Sequence, residues 1–177
     1  MDNDSVEKEK EAYANLLCSH LHAFTERLRQ LPEDKWDFTF APPAPTPRTL
    51  ATHAWQWLIC DRQHIAEPDA LKHPDVPEPP RDPKAMCDAL AEETERWREL
   101  ILGLSAEDLD TPRKQFNGYP WTIRGFVGHM VQNLIYKHGQ FSTIFFALGL
   151  DGTEPYAAPF PNPIYAQLRL KAAGGQQ

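Results

Sequence analysis

The sequence predicts an all-α protein, a four-helix bundle with long crossover loops and an extended C-terminal arm. Three observations predict it. Four long stretches carry apolar residues at alternating steps of three and four, and two proline-rich segments separate the first three of them. No stretch alternates apolar and polar residues as a half-buried strand would. The 177 residues suit one domain large enough to bury a core. The bundle is expected over residues 1–150 and the arm over 151–177.

The first helix is expected from Ser5 to Leu31. Asp4 and Glu7 form a capping-box pattern at its start, and Pro32 ends it. Ala14, Leu17, Leu21, Phe24, Leu28 and Leu31 make its apolar face. Prolines at 42, 43, 45 and 47 forbid regular helix in the next segment until Thr46-Pro47, a cap residue followed by proline at the first helical position. The second helix therefore covers Pro47 to Ala66, with Leu50, His53, Ala54, Trp57 and Cys60 facing inward.

After the linker HPDVPEPPRDP, Asp82-Pro83 repeats the same start, and the third helix runs to Leu104 with Met86, Leu90, Trp97, Ile101 and Leu104 inward. Ser105 to Asp108 reads as a short capped turn, and 111–120 as loop. Thr122 caps the last long helix, which extends to Leu148 before Gly149. Ile123, Val127, Met130, Leu134, Phe141, Phe145 and Leu148 share a narrow arc of that helix at about 100° per residue. Gly125, Gly128 and Gly139 inside it weaken a helix, so close packing or a backbone adjustment is expected there.

Composition narrows the function classes. Hydrophobic residues at 41% and charged residues at 24% are those of a globular chain. Net charge is −7, with the 18 Lys and Arg scattered rather than striped. A nucleic-acid partner is not expected, because phosphate neutralisation by a basic surface supplies most of that affinity. No apolar run approaches the roughly 18 residues of a membrane span. The acidic start MDNDSVEKEKE also lacks the basic-then-apolar order of a secretory signal. The expectation is a cytoplasmic protein with no membrane partner. Cys18, Cys60 and Cys87 lie far apart in helices, without a CxxC pair, and read as reduced, buried thiols.

Two segments carry a family resemblance. One is LPEDKWDF at 31–38, followed by the proline-rich loop and TLATHAWQWL with His53. The other is FNGYPWTIRGFVGHMVQNLIYKHGQ at 116–140, followed by ALGL. In order and spacing they resemble the DinB/YfiT-like four-helix bundles. The resemblance implies a divalent metal (nickel, zinc or iron) at the open end of the bundle, held by a His on the second helix and two residues, usually His, one turn apart on the fourth. It also implies a homodimer and, in some members, metal-dependent transferase, isomerase or hydrolase chemistry with thiols of the mycothiol or bacillithiol type. Carried onto this chain, the helix-two ligand is His53, and the paired positions before Gly139-Gln140 are Asn133 and Lys137. Amide and ammonium are poor ligands for such metals, so the site reads as degenerate.

Read without the family, Lys137 lies only about 40° from the centre of the apolar arc. Its stem either snorkels to water, or its amine sits desolvated beside His53 and Asn133, where a lowered pKa would suit a base or nucleophile. His129 is one turn before Asn133 and can converge with His53. His138 is one position from the family's last ligand and would need a local helix bulge to reach a metal. Both otherwise read as packing histidines. Trp57 either walls the pocket or packs in the core, while Trp55, Trp97 and Trp121 read as core or rim residues. Asp61 and Glu93 read as solvated charges that can alternatively pair with Lys137 or a metal. The expected protein therefore binds a small molecule in a pocket formed by His53, Trp57, Asn133 and Lys137. Two alternatives are a metal-dependent thiol enzyme and a metal-free dimeric interaction module.

Overall fold

The computed structural model describes residues 3–66, 76–114 and 119–150. Four long helices form the bundle: α1 (Asn3–Gln30), α2 (Pro47–Ala66), α3 (Pro83–Gly103) and, after the short α4 (Ala106–Asp110), α5 (Ile123–Ala147). The fold is all-α, as the apolar periodicity predicts. The arm expected at 151–177 lies outside the described residues.

Local chemistry sets most of the ends. Asp82 accepts from the Ala85 N–H at 2.7 Å, with Pro83 at the first helical position of α3. Ser105 and Asp108 form a reciprocal capping box on α4. Thr122 Oγ1 accepts from the Gly125 N–H at 3.2 Å to start α5. At the other end of α5, Gly149 takes φ 71°. That left-handed turn lets Leu150 N–H reach Phe145 O at 2.9 Å and Gly149 N–H reach Phe146 O at 3.0 Å, closing the last carbonyls. The start of α1 differs from expectation. The helix already includes Asn3, so Asp4 lies within the first turn and pairs with Lys8, while Glu7 pairs with Lys10 instead of closing a capping box.

Around the bundle, α1 packs on α3 and α5, and α2 packs on α5 and α3. The diagonal pairs are therefore α1 with α2 and α3 with α5, whereas α2 and α3 are neighbours. Leu17, Leu21, Phe24 and Leu28 of α1 meet Met86, Leu90, Trp97 and Ile101 of α3 and Phe126, Met130, Leu134 and Phe141 of α5 in one fully buried core. Trp97 also donates from its indole to Leu58 O at 3.0 Å, tying α3 to α2. The first crossing is pinned where Trp36, 1% exposed, lies under the Arg48 guanidinium at 5.7 Å. Arg48 in turn forks onto Asp37 at 2.7 and 3.0 Å.

Several expectations are corrected. The buried face of α2 includes Leu50, Ala51, Ala54, Trp55, Leu58, Ile59, Cys60, Asp61, His64 and Ile65, so His53 is exposed and Trp57 only half-buried. The segment after α4 is not wholly loop, since Arg113–Lys114 pairs antiparallel with Pro120–Trp121. A Cβ at Gly128 or Gly139 would meet nothing among the described residues, so tight packing does not explain either glycine. The three thiols are free and buried, as read from the sequence. No helix among the described residues is long and apolar enough to cross a membrane.

Candidate functional site

α2 and α5 run in opposite senses along one edge of the bundle, so residues four apart on each helix meet in register. His53, Trp57 and Asp61 of α2 form one stripe, and His129, Asn133 and Lys137 of α5 form the other. At one end of this polar seam, Asp61 Oδ2 lies 2.9 Å from His129 Nδ1. At the other, Lys137 Nζ lies 2.7 Å from His53 Nδ1 and donates to Asn133 Oδ1 at 2.5 Å. Between them, the Trp57 indole N–H donates to His53 Nε2 at 2.8 Å and its ring meets the His129 ring edge-on at 5.7 Å.

The seam opens into a cleft of about 580 Å³, within the range of small-molecule sites. Lys137, 3% exposed, forms its floor, with His53 and Asn133 beside it and Gln132, Tyr136 and Gln140 along the α5 side. The sequence reading missed these last three, although residues 132, 136 and 140 form a second stripe at helical spacing beside Asn133 and Lys137. Trp57 does not line the cleft. It acts on the site through His53, whose ring it orients.

Burial governs the electrostatics. Desolvation lowers Lys137 to about 8. It also lowers His53 below the ordinary histidine value, with the Lys137 charge adding to the effect. Burial raises the Asp61 carboxyl, and the hydrogen bond and charge of His129 oppose that rise. Asp61 and Glu93 are thus not the solvated charges expected. Asp61 is 2% exposed and held by His129, while Glu93 is fully buried and takes hydrogen bonds from Arg62 and Arg96. His138 belongs to a different environment. It is buried against the rings of His20 and Phe24, its Nε2 3.1 Å from His20 O, and α5 runs through this position as regular helix.

The family model of the DinB superfamily matches residues 17–141, from the middle of α1 to the last turns of α5. The chain belongs to the DinB superfamily. A comparison with curated proteins finds no match. The match spans His53, Asn133 and Lys137, where the resemblance to other DinB bundles implies a metal.

The donors present in this DinB protein do not suit nickel, zinc or iron. Both ring nitrogens of His53 are engaged, Nε2 by the Trp57 N–H and Nδ1 by Lys137 Nζ. Asn133 offers only an amide oxygen, already accepting from the lysine. Among the described residues no three His, Cys, Asp or Glu side chains converge as a ligand set. Lys137 Nζ instead fills the space between His53 and Asn133.

Proposed function

We propose that this DinB-superfamily protein binds a small, uncharged polar molecule in the cleft between α2 and α5 without a divalent metal. The observation that carries the reading is the buried Lys137 Nζ, bonded at 2.7 Å to His53 and at 2.5 Å to Asn133 at the cleft floor. A lysine so placed occupies the space between His53 and Asn133 and offers a ligand a fixed polar anchor. Gln132, Gln140 and Thr49 add amide and hydroxyl groups at the rim, and Leu50 and Pro45 supply apolar wall.

Metal analysis of protein purified without a histidine tag, followed by titration with nickel and zinc, tests this reading. The expected result is well under one equivalent of metal as purified and no saturable uptake that depends on His53. One equivalent of nickel, zinc or iron that is lost in His53→Ala would overturn it and favour a metal-dependent thiol transferase, isomerase or hydrolase.

A further inference from the structure

We propose that Lys137 is a carbonyl-capturing amine, forming a reversible imine with an uncharged aldehyde or ketone in the cleft while His53 relays the proton and Asn133 positions the nitrogen. This inference rests on the small-molecule reading of the cleft and assigns it a ligand class and a chemistry.

Donor–acceptor parity along the row Trp57, His53, Lys137 carries it. An indole N–H can only donate, so His53 Nε2, 2.8 Å from Trp57 Nε1, must present its lone pair. Neutral His53 then holds its proton on Nδ1, and that N–H points at Lys137 Nζ across 2.7 Å. An ammonium has no lone pair to receive it. The arrangement therefore belongs to the free amine, which accepts from His53 Nδ1–H and donates to Asn133 Oδ1. An ammonium would force the His53 proton onto Nε2, head-on against the indole N–H.

The surroundings agree. No carboxylate lines the cleft among the described residues, and the nearby acids are already engaged, Asp61 with His129 and Glu93 with Arg62 and Arg96. Nor does any arginine or second lysine line it among those residues, so a 2-oxo acid would find no counter-charge for its carboxylate.

The chemistry closes without any further reactant. The Nζ lone pair turns from His53 to the carbonyl carbon and forms the C–N bond. The carbonyl π pair moves to oxygen, which takes one of the two nitrogen protons to give a carbinolamine. As the C–O bond breaks, His53 Nδ1 passes its proton to the departing hydroxyl and takes the proton remaining on nitrogen. Water leaves, the imine remains, and His53 ends in its starting tautomer, still accepting from Trp57.

The test is reductive trapping on the metal-free, full-length protein with propanal and cyanoborohydride at pH 7, followed by peptide mass mapping. Lys137 should be alkylated at least about ten-fold faster than the exposed Lys8 and Lys84. Trp57→Phe keeps the ring bulk but removes the indole donor, releasing Nδ1 to accept from an ammonium. Asn133→Asp sets a carboxylate against Nζ. Both should slow labelling at Lys137 about ten-fold, with circular dichroism confirming that each variant is folded. Glyoxylate, a 2-oxo acid, should label more slowly than propanal. Lys137 reacting no faster than surface lysines, or reacting equally fast in folded Trp57→Phe, would overturn the proposal. Absence of an adduct on metal-free protein sinks the imine alone, whereas stoichiometric metal sinks the metal-free cleft as well.

Discussion

A buried lysine that releases its proton early makes stability rise with pH, and that rise is measurable at Lys137. In the unfolded chain the amine holds its proton up to the ordinary value of 10.5, whereas in the fold it lets go near 8. Between those values the unfolded state binds more protons, so alkali favours the folded state. At about 1.36 kcal/mol per pH unit the full shift corresponds to about 3 kcal/mol. Water at the cleft mouth screens part of it, leaving about 2 kcal/mol. Lys137→Met keeps the length of the side chain and has nothing to titrate. Urea unfolding of both proteins from pH 7 to pH 10 should therefore show the variant losing about 2 kcal/mol relative to the parent as pH rises. Taking the difference matters, because the three buried thiols act in the opposite direction. Cys18, Cys60 and Cys87 are each pushed by burial from 9.0 to about 11, so the unfolded chain sheds their protons first and stability falls above pH 9 in both proteins alike. Parallel curves for parent and variant would refute the desolvated amine, and with it the electrostatic part of the site.

Other outcomes follow from the same structure. His138, lowered by burial to about 4 from 6.5, stays neutral in the fold while the unfolded chain gains its proton. Stability should therefore drop as pH falls from 6.5 toward 4, and His138→Leu should remove about 3 kcal/mol of that drop in denaturant titrations. Trp97→Ala deletes a fully buried indole and its bond to Leu58 O, and should cost about 3–5 kcal/mol in urea unfolding. A loss below about 1 kcal/mol would mean that the core closes around the gap. A thiol reagent such as dithiobisnitrobenzoate should find no fast-reacting cysteine in the native protein and all three in denaturant, since each is buried and protonated at neutral pH.

The helices were legible because their ends depend on neighbours in sequence. Thr46-Pro47, Asp82-Pro83, Thr122 and Gly149 mark boundaries with cap side chains, fixed φ or a left-handed turn, and all of these act within five residues. Helical spacing likewise put Asn133 and Lys137 on one line of α5. The rotation of α2 was not legible. Apolar periodicity gave His53 and Trp57 an inward direction, yet Trp55, Leu58 and Ile59 compete for the same core and turn those two onto the flank.

The sequence by itself determined which segments are helical and which residues each helix can present together, because both follow from backbone hydrogen bonding and a fixed angle per residue. Only the tertiary structure decided what each polar group meets. Asp61 finds His129 68 residues away, Glu93 finds Arg62 across 31, and Lys137 finds His53 across 84. Whether a carboxylate is solvated or buried, and whether a lysine holds its proton, depends on partners and water exclusion that exist only once distant helices have packed.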